Sequence, residues 1–164
     1  MKEYADYLRE TKRMLRNYRK MKVAVTNLTE EIEAVECLLR DEGIAAVRYG
    51  DDRVNGGAGE LTSTEAAAER RIRMQEQIAA VKERREEIER TVRAIERVLA
   101  SLNAVEMELI RAHYIEGATW EETARRLSYT EKWTQVRGWK ALHDVAMMLF
   151  GVQVRPVQMR LSME

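Results

Sequence analysis

The side chains able to do covalent or metal chemistry are few in this chain and stand apart. Its two histidines, His113 and His143, lie far from each other with no Asp, Glu or Cys cluster at ligand spacing, so no metal site is expected. The single cysteine, Cys37, falls in an apolar helical stretch and reads as a small core residue. The run Asn55-Gly56-Gly57-Ala58-Gly59 lacks the lysine and Ser/Thr of a phosphate-binding loop and follows no strand, and Asp51 and Asp52 read as turn residues rather than calcium ligands. There is no Ser/His/Asp set, activated cysteine or carboxylate pair in an apolar pattern, so neither an enzyme nor a cofactor is expected. What remains is non-covalent chemistry. Arg125, Arg126, Thr130, Glu131, Lys132, Gln135, Val136 and Lys140 bring guanidinium, ammonium, hydroxyl, amide and methyl groups close together in sequence, the types that hold phosphates and meet base edges.

The elements that would position those groups can be read from caps and spacing. Asn103 caps a helix whose apolar residues Val105, Leu109, Ile110 and Ile115 recur at helical spacing, and Gly117 ends it after Glu116. Thr119 with Glu122 forms a capping box for a second helix running to about Leu127. Ser128 and Tyr129 make a tight turn, and Thr130 caps a third helix reaching Ala146 or beyond. Rotation of roughly 100° per residue puts Thr134, Gly138, Ala141, Leu142, Val145 and Leu149 on the inner side of that helix. Lys132, Trp133, Val136, Trp139, Lys140 and His143 fall outside, with Glu131 and Gln135 on the margin. Two outward tryptophans, Trp133 and Trp139, call for a cover.

Thr130 through Leu142 resemble, without a gap, the recognition helix of the C-terminal domain of bacterial housekeeping sigma factors, ending in the same lysine-alanine-leucine at Lys140-Ala141-Leu142. Trp120 through Leu127 look like the helix before it. The chain departs from that pattern at Thr134 and Arg137, where the family carries large aliphatics. The order of two long amphipathic helices, a glycine-rich segment with Tyr49, and this sigma-like part is similar to the ArpU/RinA-type late-gene transcriptional regulators of phages and prophages. The resemblance implies a helix-turn-helix that reads double-stranded DNA in the major groove. Glu131, Lys132, Gln135 and Val136 would then meet bases, and Arg125, Arg126, Thr130 and Lys140 would meet phosphates.

The remainder of the chain reads as scaffold. With 164 residues, 45% apolar and 34% charged, it suits an all-α protein: a long N-terminal helical hairpin or coiled coil, then a C-terminal sigma-like helix-turn-helix. The expected divisions are 1–102 for long helices with a glycine-rich loop over 43–61, 103–150 for the DNA-binding part, and 151–164 for a tail alternating apolar and polar residues about Pro156. From Met74, Ile78, Val81, Ile88, Val92, Ile95, Leu99 and Leu102 follow heptad steps interrupted by Arg85, in a helix whose start is set by a Thr62–Glu65 capping box. The first helix has its own seam of Leu8, Leu15, Tyr18, Val25, Leu28, Ile32, Val35 and Leu39. Periodicity leaves open whether these stripes close on each other or on a second chain, so a homo-oligomer and a hairpin are both expected readings. Absence of a signal-like start and of a long apolar run predicts a cytoplasmic protein that does not meet a membrane.

Charge opposes a simple DNA-binding reading. Basic and acidic residues balance at 28 each, and 103–150 hold six basic against seven acidic side chains. The first helix is polarised instead. Arg9, Lys12, Arg13, Arg16, Arg19, Lys20 and Lys22 crowd its start with Tyr4, Tyr7 and Tyr18 between them, and Glu30, Glu31, Glu33 and Glu36 follow. Two other readings stay open. One is a packaging-recognition protein like a phage small terminase subunit; the other is an interaction protein that grips RNA polymerase or another regulator through Trp133 and Trp139.

Overall fold

The computed structural model describes residues 4–49 and 58–151, with side chains over 5–41 and 65–151. Those residues form an all-helical chain: α1 (Tyr4–Tyr49), α2 (Ala58–Ser101), α3 (Ala104–Leu109) running into a π-helical turn (Ile110–Ile115), α4 (Trp120–Leu127) and α5 (Glu131–Phe150). Both long helices extend further than the glycines suggest. Gly43 lies inside α1, and Gly59 and Thr62 inside α2, so the loop is not 43–61 and the Thr62 capping box does not start α2. One interior glycine costs about 1 kcal/mol relative to alanine, which flanking helix formers such as Ile44-Ala45-Ala46 and the long seam on either side offset. The Asp51–Asp52 pair, the glycines at 56 and 57 and the tail 152–164 lie outside the described residues.

The chain divides into two compact units. The first joins 1–22 to 90–164; the second is 23–89. In the second unit α1 and α2 run beside each other. Glu36 and Lys82 meet at 2.7 Å, and the Lys82 ammonium holds the Glu36 carboxyl below its ordinary range. Ile32 and Ile78 are buried there. Arg85 takes the heptad position expected of it, half-buried, with its Nε shielded and lacking a hydrogen-bond partner among the described residues. Cys37 is exposed rather than in the core, its Sγ 4.0 Å from an Asp41 carboxylate oxygen. It lies off the Ile32–Val35–Leu39 stripe that faces α2.

In the first unit Leu15 of α1 and Ile95 and Val98 of α2 form one core with Ile110, Tyr114, Ala141, Leu142 and Val145. Tyr18 donates to Glu96 at 3.0 Å and Lys22 pairs with the same carboxylate at 3.3 Å, so the edge of this core is tied by polar contacts between α1 and α2. Of the two readings left open for this seam, the structure shows the hairpin, with the stripe covered within one chain. Ile78, Val92 and Ile95 are buried, and Val81, Ile88 and Leu99 are half-buried. The partner stripe belongs to α1, because a short connection favours an antiparallel neighbour over a second molecule.

Candidate nucleic-acid interface

Five local devices fix the C-terminal helices. Asn103 Oδ1 accepts from the Glu106 amide at 2.9 Å and starts α3. The helix then widens into the π-turn, where the Glu116 amide donates to the Arg111 carbonyl five residues back at 2.9 Å, and Gly117 leaves at φ +80°. Thr119 and Glu122 complete the reciprocal capping box of α4, with the Glu122 amide on Thr119 Oγ1 at 3.1 Å and the Thr119 amide on Glu122 Oε2 at 2.8 Å. At the far end Ser128 adopts the left-handed conformation at φ 58°. The Tyr129 amide donates to the Ala124 carbonyl and the Ser128 amide to that of Arg125, closing a Schellman turn with no glycine. Thr130 Oγ1 accepts from the Trp133 amide at 3.3 Å and opens α5.

The inner face of α5 is the one the sequence implies. Thr134, Gly138, Ala141, Leu142 and Val145 are buried, Ala146 joins them, and Leu149 packs against the core. Gly138 matters most, because a Cβ placed there would sit 2.5 Å and 2.6 Å from two ring carbons of Trp120. Trp120 is in turn stacked on His113 at 3.5 Å between centroids, with Tyr114 edge-on at 5.9 Å. The His113 Nδ1–H donates to the Ala118 carbonyl at 2.8 Å. Burial pushes the imidazole below its ordinary pKa, and the nearby Arg16 and Lys12 push the same way against that hydrogen bond. Burial also drives the Tyr114 phenol up to about 12. These aromatics tie α4 and α5 to the π-turn, a network that the spacing of the residues did not reveal.

The outward face of α5 carries exposed Glu131, Lys132, Trp133, Val136, Trp139 and Lys140, with Gln135 half-buried at the margin. Val136 is 67% exposed, the highest value among the large apolar side chains of the described residues. Lys132 and Lys140 make no ion pair among the described residues. The other candidates are engaged. Gln135 Nε2 donates to Glu131 at 2.9 Å, Arg125 pairs with Glu121 at 2.8 Å, and Arg126 reaches Glu116 at 2.7 Å. The Arg126 guanidinium holds the Glu116 carboxyl below its usual range. All three pairs lie at the surface, where such contacts exchange readily for a stronger anionic partner. The two outward tryptophans, which call for a cover, are partly covered within the chain, Trp139 by the tilted His143 ring at 5.8 Å among others. Trp133 stacks on Tyr129 at 3.9 Å and 19°, and the Lys12 ammonium of α1 stands 5.0 Å from the Trp139 ring centroid.

Among the described residues there is no cluster of three or more His, Cys, Asp or Glu side chains that could hold a metal, and no helix long and apolar enough to cross a membrane. No family model, curated protein or solved structure matches the chain.

Proposed function

We propose that the chain is a sequence-specific DNA-binding transcriptional regulator of the phage late-gene type, in which α4, the Ser128–Tyr129 turn and α5 act as a helix-turn-helix with α5 in the major groove. The observation that carries this reading is the pairing of a short, doubly capped helix with a long helix whose inner face is small and whose outer face is bare. Such an α5 is held rigidly from behind and can enter a groove from the front. Glu131, Lys132, Gln135 and Val136 occupy the leading two turns, where a recognition helix meets base edges, and Val136 offers methyl groups to thymine. Arg125, Arg126 and Thr130 surround the turn, and Lys140 follows on α5, positions suited to phosphates.

Two copies would strengthen a weakly charged reader. Val23, Leu38 and Ile72 of the second unit are exposed apolar side chains outside the seam, at which a second copy could be met without disturbing the hairpin. Regulation of this kind belongs in the cytoplasm, alongside RNA polymerase.

The test is a binding assay with DNA selected from a random library, beside unrelated DNA. Gln135→Ala should lower discrimination between the two by about 1 to 3 kcal/mol, whereas Arg126→Ala should weaken both and reduce the salt slope by roughly one unit. A wild-type chain that selects no sequence above bulk DNA at low and moderate salt would reject the reading. In that event the exposed Tyr129–Trp133 stack and Trp139 favour the second one, a regulator that grips another protein through aromatic anchors. Trp133→Ala would then abolish partner capture.

A further inference from the structure

The structure places an unclaimed row of cations beside α5. Lys12, Arg16 and Arg19 fall at steps of four and three, on one stripe of α1. Lys12 stands over Trp139 on the outer face of α5, and Arg16 is close enough to His113 and Tyr114 to act on both electrostatically. Arg19 acts in the same way on Glu116 at the end of the π-turn. The stripe thus follows the edge of the C-terminal helices and belongs to the same compact unit.

Pairing separates these three cations from Arg9, Arg13 and Lys22, while Lys20, also without an ion pair among the described residues, lies at the margin of their stripe. Arg9 is bound to Asp6, Arg13 to Glu10 and Lys22 to Glu96, but Lys12, Arg16 and Arg19 make no ion pair among the described residues. Arg16 and Arg19 are exposed, and Lys12 is half-buried against the tryptophan. Charge gives the row a reason. Residues 103–150 carry one more acidic than basic side chain, whereas 1–22 carry eight basic against three acidic. The positive charge that the C-terminal helices lack is supplied by the segment of α1 in the same unit.

We infer that Lys12, Arg16 and Arg19 form a phosphate-holding rail, contacting one strand of a DNA duplex whose major groove is occupied by α5. This rests on the DNA-binding reading above and assigns its backbone contacts to α1. From Lys12 to Arg19 the helix rises about 10 Å, roughly three phosphate steps of about 3.4 Å along one strand. A duplex lying along the outer face of α5 meets Trp139, and with it the ammonium of Lys12.

The experiment compares the full chain with the triple variant Lys12→Gln, Arg16→Gln, Arg19→Gln. Fluorescence anisotropy is read on a library-selected duplex and on a random-sequence duplex over a range of salt. Loss of three contacts should flatten the plot of log affinity against log salt by two to three units on both duplexes, since each phosphate contact contributes about 0.9. The preference for the selected duplex should stay the same. The charge-preserving variant Lys12→Arg, Arg16→Lys, Arg19→Lys should keep the slope, which separates loss of charge from loss of fold. Arg9→Gln with Arg13→Gln should change it by less than one unit. An unchanged slope in a triple variant that still binds would overturn the rail and leave α5 as the reader, while a wild-type chain that binds neither duplex would overturn both.

Discussion

His113 shows most clearly how one residue is set by its surroundings. Burial, with Trp120 stacked on its ring, pulls its pKa below the ordinary value against the opposing hydrogen bond to the Ala118 carbonyl, and burial lowers that of His143 as well. The unfolded chain, with histidines near 6.5, takes up protons before the folded one. Stability contributed by these rings is therefore complete above that value and declines as pH falls below it, until the folded rings titrate. Thermal midpoints should be flat from about pH 8 to 7 and fall between roughly 6.5 and 5, before the carboxylates dominate. His113→Gln should remove much of that slope, and a profile flat through the whole range would contradict this account. The caps at Asn103, Thr119 and Thr130 were legible beforehand because capping is local chemistry over three residues. The Arg126–Glu116 pair and the Lys12–Trp139 contact were not, since each depends on packing between separate elements.

At the scale of the element, α5 was readable because its two faces differ in residue size as well as polarity. The close approach at Gly138 can be tested directly. Gly138→Ala adds a methyl that overlaps the Trp120 ring, an overpacking cost of typically 1 to 3 kcal/mol, against about 1 kcal/mol gained in helix propensity. A net loss near 1 kcal/mol is expected in urea unfolding, and in a Trp120→Leu background the same substitution should become neutral or stabilising. Equal costs in both backgrounds would mean that the ring is not the obstacle. The π-turn was not legible. Nothing in Ile110-Arg111-Ala112-His113-Tyr114-Ile115 marks a widened turn, which arises where α3 must bring Ala112 and Tyr114 into the core and still release the chain at Gly117. The seams mark the long helices but not their ends, because an isolated glycine reads as a stop and acts as a modest local cost.

For the whole molecule, the sequence left the owner of the partner stripe undecided, and the structure assigns it to the same chain. Periodicity records that a face is buried and carries no sign of what buries it. Val92, 6% exposed, should accordingly be needed for folding itself. Val92→Glu buries a charge without a partner at a cost of several kcal/mol, and helicity by circular dichroism should collapse. Leu38→Glu with Ile72→Glu, at positions 54% and 53% exposed, should keep full helicity and lower the mass seen by light scattering if hairpins associate through that surface. Loss of helicity in the double variant would show that these side chains belong to the fold. The composition of the first unit also bears on its order of assembly. Leu15 finds Ile95 and Leu142 only after some eighty and more than a hundred and twenty intervening residues. During synthesis the start of α1 meets Ile95, Val98, Ile110 and Tyr114 of that core before α5 is made, and Ala141, Leu142 and Val145 only after. A helical protein is usually quick to fold because its contacts are local; here the core of the first unit closes only when α5 joins residues more than a hundred positions earlier, and truncation within α5 strips Leu15 of one wall of its core.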